Sequence, residues 1–101
     1  MIGITFSIRL VDADALVVAR NAILLAMFER AADQLELDVY SDRDDDYCDV
    51  HIDEVSVDLA GQLFDLLEPL NLLDYLTADA ETNDELTALS RYAAKVAMGL
   101  A

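Results

Sequence analysis

A chain of 101 residues suffices for one domain with a modest core, and its 55% hydrophobic content is too high for an acidic disordered segment. Twenty-one acids against six bases leave a formal net charge of −15. That charge repels nucleic acid and anionic membranes and attracts basic protein surfaces.

The single cysteine, Cys48, excludes a disulfide within the chain and fits a reducing compartment. The first residues, MIGITFSIRLVDAD, lack a basic segment followed by an unbroken apolar core. The longest apolar run, 15–28, is interrupted by Arg20 and Asn21. A cytoplasmic protein with no membrane contact is expected.

In chain order, Ile4, Phe6, Ile8 and Leu10 alternate with Thr5, Ser7 and Arg9, which predicts a half-buried strand over 2–11. Asp12 or Asp14 then caps a helix running to about Leu35. Its apolar positions, Leu16, Ile23, Met27, Ala31 and Leu35 together with Val17, Leu24, Leu25 and Phe28, spread beyond one face. Such a helix either packs on two sides or meets another chain, so the helix spanning about 14–35 is the candidate contact of a homodimer.

Leu37 and Val39 alternate with Glu36, Asp38 and Tyr40, and Cys48, Val50 and Ile52 alternate with Asp49, His51 and Asp53. Two strands joined by a turn over 41–46 are expected. Ser56 or Asp58 starts a helix that Pro69 stops or kinks. A short helix over 70–76 and a final helix after the Thr82–Glu85 capping box follow, the last with Leu86, Leu89, Ala93, Val96 and Leu100 buried. The order β-α-β-β-α-α-α predicts one α+β domain over 1–101, a three-stranded sheet with helices packed on one face.

The charge is concentrated. Residues 36–58 hold ten acids and one arginine, a net −9. On the predicted strands the acids take one parity. The solvent face is therefore expected to carry Glu36, Asp38, Asp49, His51 and Asp53, with Asp42, Asp44, Asp45 and Asp46 at the turn. Alternate residues on a strand lie about 6.7 Å apart, twice the rise per residue. Phosphates on one DNA strand step about 3.4 Å along the axis and swing sideways as well. A carboxylate ladder can therefore stand in for a run of phosphates. Tyr40 and Tyr47, set among the acids, are candidate interface anchors.

Other chemistry suits these residues poorly. Asp42, Asp44 and Asp46 open like a calcium loop, but Tyr47 stands where that loop needs glycine and Asp53 where it needs glutamate. Cys48 and His51 point to opposite faces of a strand, with no further Cys or His to complete a zinc site or a nucleophilic pair. The carboxylates show no sign of two distinct environments, and Gly3, Gly61 and Gly99 form no phosphate loop. No enzyme, metal site or cofactor is expected.

In its size, its acidic cluster Asp38–Asp58 and its α/β pattern, the chain resembles the small acidic inhibitors of phages and mobile elements. These include anti-CRISPR and anti-restriction proteins that imitate nucleic acid. The resemblance implies an inhibitor whose partner is a basic nucleic-acid-handling protein. The contact residues would be Asp38, Tyr40, Asp42, Asp44, Asp45, Asp46, Tyr47, Asp49, His51, Asp53, Glu54 and Asp58. Immunity proteins of nuclease toxins, acidic for a related reason, are one alternative, and a structural or regulatory homodimer is another.

Overall fold

The computed structural model describes residues 1–101. Ile2, Ile4, Phe6 and Ile8 bury one side of the first strand, β1 (Ile2–Arg9), while Ser7 and Arg9 face solvent on the other. The first helix, α1 (Ala15–Gln34), is capped by Asp14, whose carboxylate accepts from Leu16 N at 2.9 Å. It lays Leu25, Phe28, Ala31 and Ala32 on the apolar side of the sheet. Phe28 stacks on Phe6 with ring centroids 4.6 Å apart. Asn21, buried on the same helix, donates to the Arg9 carbonyl at 2.7 Å and ties α1 to the end of β1.

Two antiparallel strands follow, β2 (Tyr40–Arg43) and β3 (Tyr47–Val55). Ser56 caps α2 (Val57–Leu67), which buries Ala60, Leu63, Phe64 and Leu67 against the same core. After two single turns of 3-10 helix come β4 (Leu76–Ala80), α3 (Asn83–Ala88), a further 3-10 turn and β5 (Ala97–Leu100). The strand order is β2-β3-β1-β4-β5, antiparallel except for the parallel β4–β5 pair. The first four strands with α1 and α2 form the split β-α-β arrangement of ferredoxin-like topology, to which β5 adds an edge strand.

The α+β class agrees with the expectation from sequence, but the three-stranded sheet does not: the sheet is mixed and has five strands. The stretch read as a short helix over 70–76 forms 3-10 turns and leads into β4. The free edge of β1 binds Leu76, Ala78 and Ala80 more effectively than local helix propensity holds them. The final helix stops at Ala88. Tyr92 anchors the next turn under α2, its hydroxyl donating to Asp65 Oδ1 at 2.6 Å and its ring edge-on to Phe64. Residues 97–100 are then delivered to the open edge of β4. Leu89 and Val96 are buried as the helical reading required, whereas Ala93 and Leu100 are exposed.

The second strand is also displaced. Glu36 turns the chain with φ 57° and Val39 is 39% exposed, so β2 begins at Tyr40 rather than at 36. A bulge corrects the alternation of β3. Ile52 pairs with Ile4 but Val55 with Ile2, which leaves Asp53 and Glu54 both opposite Gly3. The extra residue returns Val55 to the core and keeps Glu54 in solvent. Strict alternation would have pointed the Glu54 carboxylate at the helices.

Candidate functional site

Both long helices cover the isoleucine side of β1, so the other side of the sheet is open. Register fixes its neighbours. Tyr40, His51, Thr5, Thr77 and Ala97 stand side by side across the five strands. Asp42, Asp49 and Ser7 form a second row, and Tyr47 lies opposite Arg9. Asp79 continues the face on β4 beside Gly3. Its carboxylate lies beside Gly99, where a Cβ would be in ordinary contact with Asp79 Oδ1 at 3.8 Å.

Two of the acids on this face are held by neutral hydroxyl groups. Ser7 Oγ donates to Asp49 at 2.7 Å, and the Tyr40 hydroxyl donates to Asp53 at 2.9 Å. The latter bond raises the Tyr40 pKa, because ionising the phenol would lose it beside a carboxylate. His51 lies with Nδ1 3.1 Å from the Thr5 hydroxyl and Nε2 3.3 Å from Asp42, its ring 5.0 Å from that of Tyr40. Of the six Lys and Arg side chains, only Arg91 forms an ion pair, with Asp65 at 3.3 Å and away from this face. The carboxylates of the β2–β3 hairpin are therefore not neutralised by the chain's own arginines.

At the hairpin tip Asp44 accepts from the backbone N–H groups of Asp46 and Tyr47 at 2.8 and 2.7 Å. These two bonds, the Tyr47 one first, hold its carboxyl below the usual range. Asp44 thus builds the turn, while Asp45 and Asp46 extend from it into solvent. Beside the hairpin lies a groove of about 520 Å³. Leu37, Val39, Tyr40 and Ile52 contribute its apolar lining, and Glu36, Asp38, Asp53 and Glu54 its acids.

Of the residues expected from sequence, Tyr40, Asp42, Tyr47, Asp49, His51 and Asp53 share the open face. Asp44, Asp45 and Asp46 form its tip, and Asp38 and Glu54 its flanking groove. Asp58 lies apart: it sits in the first turn of α2, beside a second groove lined by Asp65, Arg91 and Tyr92. Sequence reasoning missed Thr5 and Ser7, which position His51 and Asp49, and Asp79. The alternation of β1 marked the first two as solvent-facing. Asp79 sits between Ala78 and Ala80, the same period-2 signal. Cys48 is buried on the opposite side from His51, and no group of His, Cys, Asp and Glu is arranged to hold a metal.

No helix is long and apolar enough to cross a membrane. No protein-family model, curated protein or solved structure matches the chain.

Proposed function

We propose that the protein is an inhibitor that covers the basic, nucleic-acid-binding surface of a target protein with its open sheet face. One arrangement carries this reading: carboxylates from β2, β3, β4 and the hairpin tip crowd one exposed wall with no arginine or lysine paired to them. Leaving so many like charges together destabilises the folded state, a cost that is offset if a cationic partner meets them. The target's arginines and lysines would span the Asp42–Asp49 row and the hairpin tip as they span phosphates. The groove beside Tyr40 suits one longer anchor. An arginine stem can lie on Leu37, Val39 and Ile52 with its guanidinium among Asp38, Asp53 and Glu54.

Attraction of this kind accelerates encounter and weakens with salt. The test compares the wild-type protein with the quadruple variant Asp42→Asn, Asp46→Asn, Asp49→Asn and Asp53→Asn, which keeps shape and removes four charges. Both are used to capture proteins from a lysate at low salt. Those eluted by higher salt are identified and assayed for displacement of a labelled DNA or RNA duplex. The expected result is basic nucleic-acid-binding proteins on the wild type alone, displaced at least about tenfold less well by the variant, a loss of about 1.4 kcal/mol. Equal capture and equal displacement by the two proteins would refute the assignment.

A further inference from the structure

The side of α1 turned away from the sheet has its own pattern. Opposite the buried Asn21, Leu25, Phe28 and Ala32, successive turns present Leu16, Ala19, Ile23, Ala26 and Arg30 at the three- and four-residue spacing of a helix-pairing seam. Leu16 is 79% and Ile23 61% exposed, although the large apolar residues of the sheet side are almost all buried. In a chain of net charge −15 this seam carries Arg30 and no acid; Arg20 falls on one flank, where it donates to Asn21 Oδ1, and Glu29 and Asp33 fall on the other.

We infer that α1 pairs with α1 of a second copy, antiparallel, about a two-fold axis at Ile23. The spacing selects this occupant. Leu16 and Arg30 lie seven residues to either side of Ile23, about 10.5 Å along the helix axis in each direction. At the Arg30 end the seam opens into a groove of about 340 Å³ between α1 and α2, lined by Met27, Arg30, Ala31, Gln34, Leu66 and Leu70. The two-fold places the protruding Leu16 of each copy over the groove of the other. It also brings each Arg30 to the acidic cap, Asp12 and Asp14, of its partner. At the centre Ala19 faces Ala26, and small residues there let the helices approach closely.

Contact along a helix of about 30 Å buries roughly 500–600 Å² per copy, the lower end of what a stable interface needs. Both open sheet faces then point outward from the dimer, so like-charged walls stay apart. The dimer does not depend on the proposed inhibition, and salt separates the two. Salt screens both the repulsion between the acidic copies and the attraction of Arg30 to the cap acids, so it changes the dimer little, whereas it weakens capture of a basic target.

Sedimentation equilibrium tests the pairing on wild type, Leu16→Glu and Ile23→Glu. The wild type is expected to be dimeric at about 100 µM and each variant monomeric, its dissociation constant raised at least about thirtyfold. The thermal midpoint of a diluted, monomeric sample should be unchanged, because these side chains are exposed within one copy. Register is read by oxidation: Ile23→Cys is expected to cross-link to its mate and Leu16→Cys not, the two Leu16 positions lying about 21 Å apart along the axis. The double variant Leu16→Cys, Arg30→Cys should cross-link. A wild-type monomer at this concentration, or cross-linking of Leu16→Cys alone, would overturn the inference.

Discussion

The last strand offers a direct contest between local preference and long-range pairing, and Gly99 decides it. Residues 93–101, AAKVAMGLA, look helical by composition, yet Gly99 pairs with Asp79 in a parallel ladder. Its φ is not positive, and an added Cβ would meet only Asp79 Oδ1, at the ordinary contact distance of 3.8 Å. An alanine Cβ fits, and valine adds its two methyl groups on an edge strand, so their relative stability reports the backbone. In a helix valine lies about 0.6 kcal/mol below alanine. In a strand the order reverses on a scale of about 1 kcal/mol, and at an edge about half of that is expected. Gly99→Val should therefore exceed Gly99→Ala by about 0.5 kcal/mol. With a urea m-value near 1.2 kcal/mol/M, that is a difference of about 0.4 M in midpoint. The chain has no tryptophan, so far-ultraviolet circular dichroism follows the transition. An alanine variant as stable as the valine variant, or more so, would show that residues 97–100 do not pair as a strand.

Phe28→Leu should cost about 1–2 kcal/mol in urea unfolding, since the ring is fully buried against Phe6. A double-mutant cycle with Phe6→Leu should return about 0.5–1 kcal/mol of coupling; additivity would mean that the rings are not stacked. Tyr92→Phe removes the bond to Asp65 and should cost about 1 kcal/mol, reduced because Asp65 is solvent-exposed. Unchanged stability would remove Tyr92 as the clamp between α2 and the C-terminal segment. Asp44 has a depressed pKa, so its stabilising effect is complete above the usual carboxylate range and fades as pH falls through the lowered value. Asp44→Asn should flatten the acid limb of the stability–pH curve, and an unaltered limb would mean that the turn does not depend on the charge.

The fold was legible wherever a local pattern and its tertiary use coincide. The alternation in β1, the Asp14 and Ser56 caps, the stop ahead of Pro69 and the Thr82–Glu85 capping box all stand where the residues suggested. It was illegible where a distant edge supplied the decisive bonds. Leu76–Ala80 and Ala97–Leu100 carry helix-compatible residues, and neither has a hairpin partner nearby in sequence. Each becomes a strand because unpaired backbone groups of β1 and β4 wait beside it. The sequence left the use of Leu16 and Ile23 open for another reason. A helix apolar on several sides does not reveal which side the sheet takes, and Phe28, stacked on Phe6, settles it.

The acidic face shows the same division at finer scale. Parity alone assigned Asp49, His51 and Asp53 to one side of β3, because successive side chains must alternate whatever the strand pairs with. Parity also covered Tyr40 even though β2 starts later than expected, since sliding along a strand does not change which residues share a side; Asp42, assigned to the turn, belongs to β2 instead. Neighbours across the sheet need register, which a single strand cannot encode. Thus Ser7 reaches Asp49, Thr5 meets His51 and Asp79 joins from β4 only once β1 has chosen its partners. Asp58 lies off the face on the same logic: two residues past the Ser56 cap it stands in the first turn of α2, and charge nearby in sequence turns to the helix side. The bulge opposite Gly3 completes the separation by sending Val55 inward and Glu54 outward, so that a backbone irregularity, rather than any single carboxylate, lets the acidic side and the apolar side remain distinct to the end of β3.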